Sequence, residues 1–102
     1  MIKVKGFQVA PAELEALLQE HPLVADVAVI GRPAERAGEI PVAYVVARGP
    51  ADATQIKAWV AARVVNYKQL VDVVYCESIP KSPSGKIPRR ILRSQDAARI
   101  GA

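Results

Sequence analysis

Val24-Ala25-Asp26-Val27-Ala28-Val29-Ile30 and, after an eleven-residue connection, Val42-Ala43-Tyr44-Val45-Val46-Ala47 decide how this chain folds. Both runs are short, rich in β-branched residues and nearly free of charge, which suits strands of a covered sheet. They are read as antiparallel neighbours. The connection, Gly31-Arg32-Pro33-Ala34-Glu35-Arg36-Ala37-Gly38-Glu39-Ile40-Pro41, contains two Gly and two Pro. At that length it is read as an exposed, partly ordered loop rather than a tight hairpin turn.

Upstream, the spacing predicts a helix from Pro11 to about Glu20: Pro11 suits a first helical position, and Leu14, Leu17 and Leu18 share one face. His21-Pro22 stops it. Downstream, Gly49-Pro50 breaks the second strand. Asp52 or Thr54 can then cap a helix running to about Val65, with Ile56, Trp59, Val60 and Val64 along one side and Trp59 as a core anchor. Asn66-Tyr67-Lys68 closes that helix. Val71 to Cys76 reads as a third strand, with Cys76 a small buried hydrophobe, and a last helix is expected from Pro88 through Asp96. This order implies a small, compact α+β domain with an about three-stranded sheet covered by helices.

The chain's 102 residues and 11.0 kDa suffice for one domain and are too few for a complete multi-substrate enzyme. Apolar residues at 51% and charged residues at 24% match an ordinary globular composition, so a packed core is expected. Cys76 is the sole cysteine and His21 the sole histidine, which excludes an intrachain disulfide and a multi-Cys zinc site. No metal site is expected. No apolar run reaches the roughly 18 residues of a membrane span, and Met1-Ile2-Lys3-Val4-Lys5 lacks the apolar core of a secretory signal, so a cytoplasmic location is expected.

The formal net charge of +4 is uneven. Residues 1–12 carry Lys3 and Lys5 without an acid, residues 13–80 carry six bases against nine acids, and residues 81–102 carry six bases against Asp96 alone. The basic excess therefore sits at the two ends, where it can hold an anion or form a solvated tail. Two segments there combine bases with Gly: Ile2-Lys3-Val4-Lys5-Gly6-Phe7-Gln8-Val9 and Pro80-Lys81-Ser82-Pro83-Ser84-Gly85-Lys86-Ile87-Pro88-Arg89-Arg90. In the second, Ser84-Gly85 allows a close turn while Lys86 projects a mobile ammonium suited to phosphate or carboxylate oxygens. The spacing is not that of a Walker loop.

Together with His21-Pro22 and Val27-Ala28-Val29-Ile30-Gly31, these segments resemble the C-terminal domain of adenylate-forming acyl-CoA synthetases of the AMP-binding superfamily, in the 4-coumarate-CoA ligase and luciferase-like branch. Ile79 to Ile87 looks like that family's terminal catalytic-lysine motif. The resemblance implies a mobile lid. A large N-terminal adenylation domain in cis binds ATP, with Mg, and the carboxylic acid, while the small domain turns between an adenylation pose and a pose for thioester formation with CoA. Lys86 is implied as the catalytic adenylation lysine, Lys3 and Gln8 as nucleotide or adenylate contacts, and Lys5 and Gly6 as CoA contacts.

Arg89, Arg90 and Arg93 resemble the family's basic tail and are read first as a solvated helix face and second as contacts to the CoA phosphates. Because Met1 stands inside what should be a continuous motif, the domain is read as excised from a larger two-domain enzyme and catalytically incompetent alone. It is expected to bind no cofactor by itself; ATP and CoA are substrates of the parent. The resemblance also makes Lys86 a target for a lysine acetyltransferase, which would remove the required charge. The competing readings are a free-standing anion-binding module, including a nucleic-acid binder, and a partner-docking or regulatory module. The nucleic-acid reading lacks an aromatic-rich surface and any recognisable motif, so no nucleic acid is expected as partner.

Overall fold

The computed structural model describes residues 1–81 and 83–101. Its elements run β1 (Ile2–Val4), β2 (Phe7–Val9), α1 (Pro11–Leu18), β3 (Val24–Ala34), β4 (Gly38–Ala47), α2 (Ala53–Ala61), a 3-10 turn (Asn66–Lys68), β5 (Asp72–Tyr75) and α3 (Arg89–Arg99). The α+β class holds, but the sheet has five strands, not about three. The two additional strands are β1 and β2, short segments whose lysines and glycine hid their pairing.

The sheet runs β2-β1-β4-β3, with β5 on β4 as well. All pairs are antiparallel except β4 with β5. One edge of β4 carries β3 along its length. The other is divided: Gly38 faces β1, and Val42 to Val45 face β5.

The connection between the central strands is no loop. Pairing continues through Gly31↔Pro41 and Pro33↔Glu39 to Ala34↔Gly38, leaving Glu35–Ala37 as a three-residue turn. Gly38 takes φ 83°, the left-handed conformation such a turn needs at its close. The prolines are tolerated because of their parity. Pro41's carbonyl accepts from Val71 N–H at 2.9 Å, so that side of Pro41 faces away from β3 and no bond to β3 is lost.

Side chains of β3 and β4 alternate between two apolar layers. Val27, Val29, Ala43 and Val45 join Leu14 and Leu18 of α1 and Ile56 and Val60 of α2. Ala28, Ile30, Val42 and Tyr44 join Ile79 and Leu92 of α3 on the other side. Both sheet faces are therefore covered, which explains the unbroken apolar runs.

Asp52 caps α2 by accepting from Thr54 N–H at 2.8 Å. That helix ends at Ala61, short of Val65, and Asn66–Lys68 forms a separate 3-10 turn. Trp59 is half-buried against the core, edge-on to His21 at 5.1 Å and beneath Arg63 at 4.0 Å. Cys76 is half-buried rather than fully buried, and burial pushes its thiol pKa up.

Candidate functional site

The β1–β2 hairpin carries Lys3, Lys5, Gly6 and Gln8. Ile2, Val4 and Val9 are buried in the core, so the intervening side chains are turned outward. Lys3 and Gln8 are directly opposite in the register and both exposed, about 5 Å apart at Cβ. Lys5 (φ 51°) and Gly6 (φ 85°) form the turn, both left-handed, as in a two-residue turn that matches the strand twist.

Several contacts hold this hairpin, most of them through main-chain groups. Lys5 N–H donates to Ala37 O at 2.7 Å, Lys3 N–H donates to Glu39 Oε1 at 3.0 Å, and Val4 pairs with Gly38. Phe7, 53% exposed, stacks on Tyr67 with centroids 4.3 Å apart. A Cβ at Gly6 would meet nothing within 4 Å, so within the domain only the backbone conformation calls for glycine there. Beside the turn lies a cleft of about 280 Å³ that includes Val4, Lys5, Ile40, Tyr67, Gln69 and Leu70. It occupies the stretch of β4's edge between the β1 and β5 pairings.

Lys86 lies on the segment leading into α3 and is exposed; Ser82 of the same motif lies outside the described residues. The chain turns at Gly85 (φ 82°). Apolar side chains pin both flanks, with Ile79 buried and Ile87 packed against the second core layer. Ion pairs add to this. Lys81 Nζ reaches Asp26 Oδ2 at 2.9 Å, and Arg89 Nη2 reaches Glu15 Oε1 at 2.5 Å. Glu15 Oε2 also accepts from Val29 N–H at 2.8 Å. The Lys86 segment is thus attached at the β3 margin, while the hairpin occupies the far margin. The structure brings Lys3, Gln8, Lys5 and Gly6 together and leaves Lys86 on a separate anchorage.

A further polar cluster secures α3. Arg32 donates through Nε and Nη2 to both oxygens of Asp96, each at 2.8 Å, and through Nη1 to Asp72 at 3.1 Å. Tyr44 Oη donates to Asp96 Oδ1 at 2.6 Å, and Arg99 lies 3.6 Å from the same oxygen. The Asp96 side chain is 3% exposed. Hydrogen bonding from Arg32 holds its carboxyl below the usual carboxylate range, and the same bond pushes Arg32 up. Burial, then Asp96, raises Tyr44.

Sequence reasoning missed Glu15, Arg32 and Asp96. Two signals were present, Asp96 as the sole acid of the basic tail and Glu15 between Leu14 and Leu18 on an apolar helix face, whereas Arg32 had none, since its segment read as a loop and only the structure places it on β3. The solvated reading holds for Arg90 and Arg93, which are exposed, and fails for Arg89, whose guanidinium is tied to Glu15.

The profile of the AMP-binding enzyme C-terminal domain matches residues 13–86. The chain belongs to this family. As a member, it is 54% identical over 99 residues to a 4-coumarate-CoA ligase of Pinus taeda, a match covering 97% of this chain and 18% of that protein. It is 54% identical over 104 residues to 4-coumarate-CoA ligase 5 of Oryza sativa subsp. japonica, covering 100% and 19%. Among solved structures, a Mycobacterium tuberculosis fatty acyl CoA synthetase superposes with a TM-score of 0.89 at 41% identity, covering 97% of this chain and 20% of that one. This AMP-binding C-terminal domain therefore spans about a fifth of the length of the curated relatives it matches.

Proposed function

We propose that this AMP-binding C-terminal domain is the mobile lid of an ATP-dependent carboxylic acid-CoA ligase, acting in cis with a large adenylation domain. The observation that carries the reading is the match to 4-coumarate-CoA ligases along nearly the whole chain, including both basic motifs. In the first half-reaction the carboxylate attacks the α-phosphorus of ATP and pyrophosphate leaves. Lys86 supplies positive charge where negative charge develops, on an exposed segment that can enter another domain's cleft. Lys3 and Gln8, side by side on the hairpin, contact the nucleotide or adenylate.

In the second half-reaction the CoA thiol attacks the acyl-adenylate carbonyl and AMP departs. Lys5 and the bare backbone of Gly6 line the approach of CoA, Gly6 leaving open space above the turn. Anchorage of the two motifs at different margins of one sheet supports a rotation of the domain between steps. In this reading Mg²⁺ accompanies the nucleotide in the large domain. Acetylation of Lys86 would cancel its charge and switch off the first step. No helix among the described residues is long and apolar enough to cross a membrane.

The test uses the intact ligase. Lys86→Ala should suppress ATP-pyrophosphate exchange by about 100- to 1,000-fold, while CoA capture of a supplied acyl-adenylate stays near wild type. Equal loss of both half-reactions would overturn the assignment.

A further inference from the structure

We infer that the Glu15–Arg89 ion pair is the positioning device for Lys86, setting where the lysine-bearing segment leaves the domain; the inference rests on the adenylation role proposed above for Lys86. Glu15 is a carboxylate on a buried helix face, its side chain 12% exposed. Burying it is unfavourable unless its oxygens are satisfied, and each has a partner. Oε2 takes Val29 N–H, and Oε1 takes Arg89. Val29 has the same parity as Gly31 and Pro33, so its amide lies on the outer edge of β3 and the carboxylate closes that edge.

Arg89 stands three residues beyond Lys86, with only Ile87 and Pro88 between them. Its own N–H returns to Ile87 O at 3.0 Å, tying the intervening turn to the start of α3. The Arg89 Nε–H is buried without a partner among the described residues, so the seat of the guanidinium depends on Glu15. The upstream tie, Lys81 to Asp26, is 43% and 27% exposed and belongs to the weak class of surface pairs. The downstream pair, with Arg89 34% and Glu15 12% exposed, is the less solvated of the two ties and adds to the packing of Ile87 beside Lys86. A displacement of about 1 Å at a reacting group can cost about 100-fold in rate.

Glu15→Gln in the intact ligase isolates the effect, because the amide oxygen still accepts from Val29 N–H while the charge facing Arg89 is gone. The expected result is a fall of about 10-fold or more in the kcat of ATP-pyrophosphate exchange. KM values for ATP and acid, and CoA capture of supplied acyl-adenylate, should stay near wild type. Because Glu15 would act through Lys86, adding Glu15→Gln to Lys86→Ala should cause no further loss. Arg89→Met, which leaves Glu15 bonded to Val29, should reproduce the single-mutant defect. If Lys86→Ala suppresses exchange and Glu15→Gln does not, positioning fails while the adenylation reading stands. If Lys86→Ala itself leaves exchange intact, the adenylation reading fails first. Equal loss of both half-reactions by Glu15→Gln and Arg89→Met would make the pair merely structural and overturn the inference.

Discussion

The β1–β2 hairpin is held mainly through its main chain, whereas the Lys86 segment is held by side chains. In the hairpin, the ladder with β1, the Lys5 amide on Ala37 and the paired left-handed residues at the turn set the geometry whatever charges project from it. Around Lys86 no ladder is available among the described residues. Its fixed points include Ile79 and Ile87 in the second apolar layer, Lys81 on Asp26, Arg89 on Glu15, and α3 on the Arg32–Asp96 cluster. The difference teaches which perturbations each region resists. Side-chain changes should spare the shape of the hairpin and disturb the lysine segment, and backbone changes should do the reverse.

The largest expected effect attacks the side-chain half of this comparison. Asp96→Ala leaves Arg32, 13% exposed, with Asp72 alone among the described residues to accept from its side chain, and should cost about 3 kcal/mol of stability. Only Leu92 of α3 is fully buried in the apolar layer, worth about 2 kcal/mol, so the polar cluster decides how firmly α3 docks. Amide exchange should accelerate in α3 well before it does in β1 and β2. Uniform acceleration across the domain would erase the distinction between the regions.

Next is the backbone half. Gly6→Val places a β-branched residue at φ 85°, at a strain of about 1–3 kcal/mol. In the intact ligase this should lower thioester formation from supplied acyl-adenylate by about 10-fold, a larger fall than in exchange, which Lys3 and Gln8 of the same hairpin serve. Loss of exchange with thioester formation intact would reverse the assignment of the hairpin.

Acid titration gives a smaller effect of defined sign. Because the native state lowers the Asp96 pKa, its contribution is complete above the ordinary Asp value of about 3.9 and is lost as pH falls through the depressed native value. Urea unfolding followed from about pH 5 downward should therefore show a stability decline that Asp96→Asn flattens. An unchanged acid limb in that variant would remove Asp96 from the account. Asp52→Ala is the smallest perturbation. It removes the cap of α2, costs about 1 kcal/mol, and should leave both half-reactions of the ligase unchanged.

Legibility followed the range of the interaction. The runs at 24–30 and 42–47 were readable as strands because both sheet faces are covered, so apolar residues repeat without a break. The extension of those strands to Ala34 and Gly38 was not readable. Pro33 and Pro41 normally signal a loop, and only the pairing shows that they occupy positions where no bond to the neighbouring strand is lost. β1 and β2 escaped notice because each has three residues and their turn needs β4 beside it.

The sequence by itself determined the covered central strands, the α+β class and the two basic motifs, since these rest on local periodicity and on residue types within a few positions of one another. Tertiary structure alone decided which carboxylates serve them. Glu15 meets Arg89 across 74 positions and Asp96 meets Arg32 across 64. A charge in a sequence carries no record of its partner: burial makes pairing necessary, but only the packing of α1 and α3 around the sheet selects which charges meet.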